Sequence, residues 1–148
     1  MVGAPAQPPL RGVDSRLLTL VTARVTRDIA AALAGDDLAV EQWTVLDYLD
    51  TSGPCTMTAL ASATGTNGAT LTRIVDRLVT RALVYRNVDA GDRRRVLVHL
   101  SERGRATVSE VRPRVRAAEQ RATAELTEAE RGELTRMLQR LSDPSPGG

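Results

Sequence analysis

One pair of β-favouring runs interrupts a chain whose other apolar patterns are helical. The runs extend from Leu83 to Val88 and from Arg95 to Leu100, and they flank the tetrapeptide Asp89-Ala90-Gly91-Asp92. A glycine in such a turn supplies the positive φ that a tight hairpin needs. The sequence therefore predicts a single β-hairpin, and three consecutive arginines, Arg93 to Arg95, follow its turn.

Two helices are predicted at the start of the chain. Asp14 or Ser15 can cap a first helix with apolar residues at three- and four-residue spacing, and Gly35 ends it. A second helix is predicted from about Val40 to Asp50, before a Ser-Gly-Pro sequence that stops it.

Two further predicted helices precede the hairpin and are separated only by a tight turn. Thr58 is predicted to cap the short third helix, which Gly65 closes, and Asn67 to cap the fourth. The apolar stripe of the fourth helix consists of Leu71, Ile74, Val75 and Leu78. Two helices joined by a glycine turn are typical of a helix-turn-helix, and the following hairpin makes the motif a winged helix.

Two more helices are predicted after the hairpin. Ser101 can cap the fifth helix, within which Pro113 removes a backbone donor and is expected to bend the helix. Thr127 and Glu130 form a capping box for the sixth. A narrow heptad-like seam in the fifth helix suits helix pairing, and it consists of Val108, Val111, Val115, Ala118 and Ala122.

Composition and charge favour a globular protein that meets a polyanion. The chain has 148 residues, of which 42% are hydrophobic, and it contains no apolar run near the roughly 20 residues that a membrane span needs. Only 2% of residues are aromatic, which argues against a stacking platform for single-stranded nucleic acid. Between Thr66 and Arg105 nine arginines face four acids, so this segment carries +5 and the remainder −3. A basic middle of this kind is expected of a protein that binds nucleic acid.

Cysteine and histidine usage predicts no metal, cofactor or catalytic centre. A lone cysteine, Cys55, excludes an intrachain disulfide and suits a reducing cytoplasm. No basic residue lies near it in sequence to lower its pKa, so packing is favoured over redox sensing. His99, the single histidine, is expected to face outward on the hairpin. Without paired acids and bases, a phosphate-binding glycine loop or a metal cluster, the chain is not expected to be an enzyme.

The segment from Leu60 to Ala106 resembles the MarR family of bacterial transcription regulators. The most diagnostic motifs are D-x-x-D-R-R, from Asp89 to Arg94, and T-R-x-V-D-R-L, from Thr72 to Leu78. The chain departs from the family pattern at Ala82, where glycine is usual, and at Ser101, where threonine is usual. The first departure is expected to require a slightly different exit from the fourth helix, and so a different angle of the hairpin, or wing.

The resemblance implies a mostly α fold with a small β-wing, assembled as a cytoplasmic homodimer. Its winged helix-turn-helix lobe spans 36–100, and 13–35 with 101–142 form the helical dimerisation region. Disordered segments are expected at 1–12 and 143–148. Such a protein binds a near-palindromic operator in double-stranded DNA and, by family default, represses transcription until a small molecule releases it.

The predicted DNA contacts come from the fourth helix and the wing. Thr70 and Arg73 are candidates for base edges in the major groove, and Arg77 for a phosphate or for pairing with Asp76 or with an acidic residue of the wing. The full set on this helix is Asn67, Gly68, Ala69, Thr70, Thr72, Arg73 and Arg77.

In the wing, Arg94 matches the family arginine that enters the minor groove, and Asp92 is expected to orient it. Arg93 and Arg95 are expected to point to opposite sides of the strand and to contact phosphates. A basic edge that resists strand-to-strand aggregation is the alternative function of these arginines.

An effector pocket is hypothesised between the dimerisation helices and the lobe. Arg24 and Arg27 are candidates for binding an anionic aromatic ligand there, beside Trp43 and Tyr48. Both aromatic residues also fit a core or interface role. A second hypothesis for the whole chain remains open at this point, namely a winged helix that docks an acidic protein and has no specific DNA site.

Overall fold

A computed structural model describes residues 12–143, and all structural statements concern this range. Apart from residues 12 and 143, the terminal segments predicted to be disordered lie outside it. The helices are α1 (Ser15–Leu33), α2 (Val40–Ser52), α3 (Met57–Thr64), α4 (Gly68–Thr80), α5 (Glu102–Ala122) and α6 (Glu128–Ser142). The strands are β1 (Cys55–Thr56), β2 (Val84–Val88) and β3 (Val96–Leu100). The predicted fold class, mostly α with a small β-wing, is confirmed.

Local capping sets most helix starts where the sequence predicts them. The side chains of Asp14, Asn67 and Ser101 accept backbone N–H bonds at the starts of α1, α4 and α5. Thr127 and Glu130 form the predicted capping box of α6, in which the Glu130 carboxylate accepts the Thr127 N–H at 2.7 Å. Each cap satisfies a helix N–H that has no partner inside the helix.

The start of α3 differs from the prediction. Thr56, with an extended backbone, accepts the Ala59 N–H at 3.2 Å and caps the helix, so the prediction of Thr58 as the cap is wrong. Thr56 also belongs to β1, which pairs with β3 in register Cys55 to Val98 and Thr56 to Leu97. The sheet therefore has three antiparallel strands in the order β1-β3-β2. A strand of two residues has no alternation that a sequence pattern can reveal.

A single hydrophobic core joins the predicted lobe to α1 and α5. Leu33 at the end of α1 and Val108, Val111 and Val115 of α5 pack in the same cluster as the leucines of α2, α3 and α4. The seam predicted on α5 for helix pairing is thus largely buried inside its own chain, where α5 packs along α1. The largest fully buried side chains are Leu33, Leu46, Leu60, Leu71, Leu78, Val45, Val75, Val98, Val108, Val111 and Val115.

The departures from the family pattern meet at the junction of α4, the wing and α5. Ala82 has φ of 55°, the left-handed conformation that costs a non-glycine residue about 1 kcal/mol. The Ser101 hydroxyl donates to the Ala82 carbonyl at 2.7 Å and also accepts the Gly104 N–H at 2.9 Å as the α5 cap. A Cβ atom at Gly104 would overlap the Leu83 carbonyl oxygen. The start of α5 is therefore fixed against the base of the wing.

Candidate nucleic-acid interface

The turn between α3 and α4 presents the N-terminus of α4 at the surface. Gly65, with φ of 64°, ends α3 in the left-handed conformation and donates its N–H to the α3 carbonyls. Asn67 then accepts the Thr70 N–H at 2.9 Å and caps α4, so only three residues, 65–67, separate α3 from α4. This short connection gives the crossing of two helices that a helix-turn-helix requires.

Helix α4 separates an apolar face from a polar one. Leu71, Ile74, Val75 and Leu78 are buried in the core. The residues predicted to contact DNA are all exposed, namely Asn67, Gly68, Ala69, Thr70, Thr72, Arg73 and Arg77. The Thr72 hydroxyl donates to the Gly68 carbonyl at 2.9 Å, so its proton is engaged within the helix. Arg73 and Thr70 lie together on the wall of a small cleft beside the start of α2.

The wing turn is held by its two aspartates. Asp89 accepts the Gly91 N–H at 3.1 Å, and Asp92 accepts the Arg94 N–H at 3.0 Å. The Arg94 Nε atom lies 3.6 Å from the same Asp92 carboxylate, while 93% of the Arg94 side chain stays exposed. The aspartates therefore fix the backbone from which a nearly free arginine extends.

The remaining wing arginines differ from the strand-based expectation. In a strand, residues two apart lie on the same side, and here Arg93 and Arg94 lie in the turn before β3, so strand geometry does not support the expectation that Arg93 and Arg95 point to opposite sides. Arg95 lies 3.9 Å from Asp89, and Arg93 is exposed beside the same aspartate. The geometry of the turn, with its two aspartates, determines where these side chains lie.

An ion pair that the sequence analysis did not predict joins the wing to α4. Arg86 of β2 binds Asp76 of α4 at 2.7 Å. The alternative of an Arg77 to Asp76 pair is therefore wrong within the described residues, and Arg77 instead lines the clefts beside the start of α2. Because an exposed pair of this kind contributes at most about 1 kcal/mol, we assign it a role in orientation rather than in stability.

A cleft of about 790 Å³ lies among α2, α5 and α6, where the effector pocket was hypothesised. Trp43 forms part of its wall, whereas Arg24, Arg27 and Tyr48 are not among its lining residues. Arg24 and Arg27 are exposed on α1, and Tyr48 packs against the core. The four residues are therefore not brought together in one chain.

The charged wall of this cleft was missed by sequence reasoning. Arg112 of α5 binds Asp47 and Asp50 of α2, at 2.8 Å each, across more than sixty residues of sequence. Partial desolvation and the nearby Asp47 charge raise the pKa of Glu119 on the same wall. The three-residue spacing of the two aspartates on one helix face was the available signal, but it did not identify their partner.

The only cysteine and the only histidine of the chain both take part in packing contacts. Burial raises the pKa of the Cys55 thiol, which disfavours the reactive thiolate. Cys55 packs against the core from β1. His99 stacks on Tyr85 across the wing, with ring centroids 4.9 Å apart. Within residues 12–143, no group of three acidic, histidine or cysteine side chains is placed to hold a metal ion. No helix in the same range is long and apolar enough to cross a membrane.

Known proteins share both the sequence motifs and the architecture. Residues 36–95 match the sequence profile of the MarR family. The transcriptional repressor NicR of Pseudomonas putida is 34% identical over 102 residues, which are 69% of this chain and 65% of that protein. The chain thus spans just under two thirds of the length of this relative.

Solved structures cover the chain more fully. BpsR of Bordetella bronchiseptica, whose DNA binding is regulated by 6-hydroxynicotinic acid, superposes with a TM-score of 0.80 and 29% identity over 94% of this chain and 99% of its own. A mutant of MarR from E. coli, complexed with operator DNA, gives a TM-score of 0.76 and 28% identity over 86% and 91% of the two chains. Together with the helix-turn-helix and the wing, these matches establish that the chain belongs to the MarR family of transcriptional regulators.

Proposed function

We propose that the protein is a cytoplasmic, homodimeric regulator that binds a near-palindromic operator in double-stranded DNA, represses transcription and is released by a small molecule. The observation that carries the proposal is the pairing, on one lobe, of the exposed polar face of α4 with the nearly free Arg94 of the wing. The proposed function consists of binding DNA and a small molecule, and it includes no catalysed reaction.

The α4 face suits the major groove. Gly68 and Ala69 leave the start of the helix without bulk, which allows the backbone to approach the bases. Thr70 and Arg73 follow on the exposed side, and an arginine can bind guanine through two hydrogen bonds. Asn67, Thr72 and Arg77 flank this centre and are assigned to the sugar-phosphate backbone.

The wing suits the adjacent minor groove. Arg94 extends from a turn that Asp92 and Asp89 hold in place. A narrow minor groove concentrates negative potential, so an inserted arginine is favoured there. Arg93 and Arg95, both beside Asp89, are assigned to phosphates next to the groove.

The outer helices support assembly with a second copy. Among the described residues α6 has no buried side chain, and the first half of α1 is equally exposed. The exposed large apolar residues of these two helices are Leu17, Leu18, Leu20, Val21, Met137, Leu138 and Leu141. So much exposed apolar surface on two helices is typical of an interface, and two copies give the two-fold symmetry that a palindrome requires.

The cleft among α2, α5 and α6 is the candidate effector site. It lies where α5 meets the lobe, and Trp43 offers it an aromatic wall beside charged groups. Arg24 and Arg27 can reach such a site only from the partner copy or after rearrangement. The regulation of BpsR by 6-hydroxynicotinic acid supports a small aromatic effector for this family member. A ligand that binds more tightly to a lobe arrangement that does not fit the operator shifts the population away from the DNA-bound state.

Selection of binding sites from random DNA tests the proposal, followed by affinity measurements on the selected site at two salt concentrations. We expect a near-palindromic site and an affinity that falls steeply with salt. Arg94→Ala is expected to weaken binding at least about tenfold, corresponding to one good groove contact. Arg103→Ala is the matched control, because this exposed α5 arginine has no side-chain ion pair or hydrogen bond within the described residues. If the selection yields no preferred sequence, and the wild-type protein and Arg94→Ala both bind DNA weakly, the protein-docking hypothesis would be favoured.

A further inference from the structure

Residues 34–39 connect α1 to α2, and we call this segment the joint. It contains one turn of 3₁₀ helix, Ala34–Asp36, followed by Asp37 and the buried Leu38. By position the joint links a dimerisation helix to the DNA-binding lobe. Its conformation therefore affects where the lobe lies relative to the rest of the chain.

Arg81, the C-cap residue that directly follows α4, binds the joint from one side. Its guanidinium donates to the Asp37 carbonyl at 2.6 Å and to the Asp36 carbonyl at 3.0 Å. Two consecutive carbonyls are thus held by one planar group, a geometry that a single ammonium cannot reproduce. The contact spans more than forty residues of sequence and ties the end of α4 to the end of α1.

Arg114 of α5 binds the same joint from the other side. It donates to the Asp36 carboxylate at 2.7 Å and to the Ala32 carbonyl at 3.4 Å. Asp36 is therefore held twice, through its carbonyl by Arg81 and through its carboxylate by Arg114. Only 19% of the Asp36 side chain is exposed, so solvent screens this pair less than it screens the wing ion pairs.

Backbone strain is confined to the same place. Asp37 and Ala82 are the two non-glycine residues with positive φ in the part of the chain that the structure describes, at 52° and 55°. Asp37 provides one of the carbonyls that Arg81 holds, and Ala82 directly follows Arg81. Such conformations persist only where surrounding contacts enforce them.

We propose that Arg81, Asp36 and Arg114 are positioning residues for operator binding. Their bridge fixes the angle between α4 and α5, and so sets the distance between the two α4 helices of a dimer. The proposal rests on the proposed function, since it concerns a dimer on a two-part operator. None of the three residues needs to touch DNA for this effect.

Half-site spacing is the measurement that isolates this role. Inserting one base pair between half-sites moves them apart by about 3.4 Å and rotates one about the other by roughly a tenth of a turn. Lobes that are held rigidly cannot follow this displacement, so they bind the altered operator more weakly. We expect the wild-type protein to lose about tenfold or more in affinity for operators with one or two inserted base pairs, a loss within the usual range of coupling effects.

Arg81→Lys is the principal variant, because it keeps the charge and loses the two-carbonyl contact. We expect the penalty for an inserted base pair to fall below about threefold, since the lobes gain freedom at the joint. Affinity for an isolated half-site, which reports recognition by a single lobe, should be unchanged. Asp36→Asn and Arg114→Gln are expected to give the same profile from the α5 side, and Arg103→Gln serves as the control for loss of an arginine charge.

Each outcome decides a different question. A spacing penalty that is the same in Arg81→Lys, Asp36→Asn and wild type overturns the bridge while leaving the regulator intact. A wild-type protein that selects no operator overturns the proposed function, and with it this inference. Thermal melts identify variants that do not fold. If all three bridge variants fail to fold, the bridge maintains the fold and does not position the lobe, which also overturns the proposal.

Discussion

The DNA-binding lobe and the outer helices differ in how far their apolar side chains are exposed to solvent. In the lobe, Leu46, Leu60, Leu71 and Leu78 are wholly buried. On the outer helices, Leu20 is 59% and Leu141 70% exposed. The core that the lobe shares with Leu33 and α5 is completed within one chain, whereas α1 and α6 leave a surface that a second copy is proposed to cover. Stability of the lobe and assembly of the dimer are therefore expected to respond to different substitutions.

A matched pair of leucine truncations gives the largest contrast. Leu71→Ala leaves a cavity in the lobe and should lower the free energy of unfolding by about 2–5 kcal/mol at every protein concentration. Leu20→Ala removes the same atoms from an exposed site, so its effect should appear only where dimers form and should vary with concentration. Urea unfolding at several protein concentrations measures both. Equal, concentration-independent losses would contradict the contrast.

Added charge on the outer helices tests the proposed dimer directly. Leu20→Glu and Leu141→Glu place a carboxylate on the apolar surface and should each weaken dimerisation by about 10- to 100-fold, equivalent to roughly 1.4–2.8 kcal/mol. Thr44→Glu adds the same charge to an exposed position of α2 and serves as control. Sedimentation equilibrium reads the result. A wild-type protein that is monomeric at micromolar concentration would refute the assembly itself.

The strained connection at the base of the wing allows a stabilising substitution. Ala82→Gly relieves the left-handed conformation of this residue but adds freedom to the unfolded chain, so we expect a net gain of about 0.5–1 kcal/mol. The matched control is Ala90→Gly in the wing turn, which has no such strain and should gain nothing. Thermal unfolding compares the two variants, and a gain at both positions or at neither contradicts the explanation.

The smallest expected effect depends on pH. Because the pKa of Glu119 is raised in the folded state, this group favours folding when protonated. Its contribution therefore falls as pH rises from the ordinary pKa of a glutamate through the raised pKa of the folded state. Glu119→Gln removes that dependence, so the variant should melt at a higher temperature than wild type near pH 7 and should show little difference at pH 4. Melting curves that keep the same separation at both pH values would argue against this origin.

Sequence patterns predicted the features that depend on near neighbours. Asn67, Ser101 and the Thr127 to Glu130 box act over three residues, and the hairpin over a dozen, so their residue types nearly determine the local structure. The Thr58 error shows the limit, because Thr56 has the same chemistry two residues earlier and β-pairing decides between them.

Sequence patterns could not predict contacts between residues that are far apart in the chain. The seam of α5 identified which face is buried but not that α1 of the same chain covers it. Arg112 with Asp47, and Arg81 with the joint, connect residues more than forty positions apart. Arginine occurs twenty times in the chain, so its presence at a position indicates no particular partner.

The two-residue strand β1 has a mechanical consequence. Its β-pairing connects the start of α3 to β3, and the ion pair between Arg86 and Asp76 connects β2 to α4. The wing therefore contacts both helices of the helix-turn-helix. These two contacts oppose independent movement of the base of the wing, so we expect the lobe to move as one body. The proposed effector, if it acts on such a body, would change the orientation of the lobe and leave its shape unchanged. Each lobe then keeps its preference for particular bases while the distance between the two lobes changes.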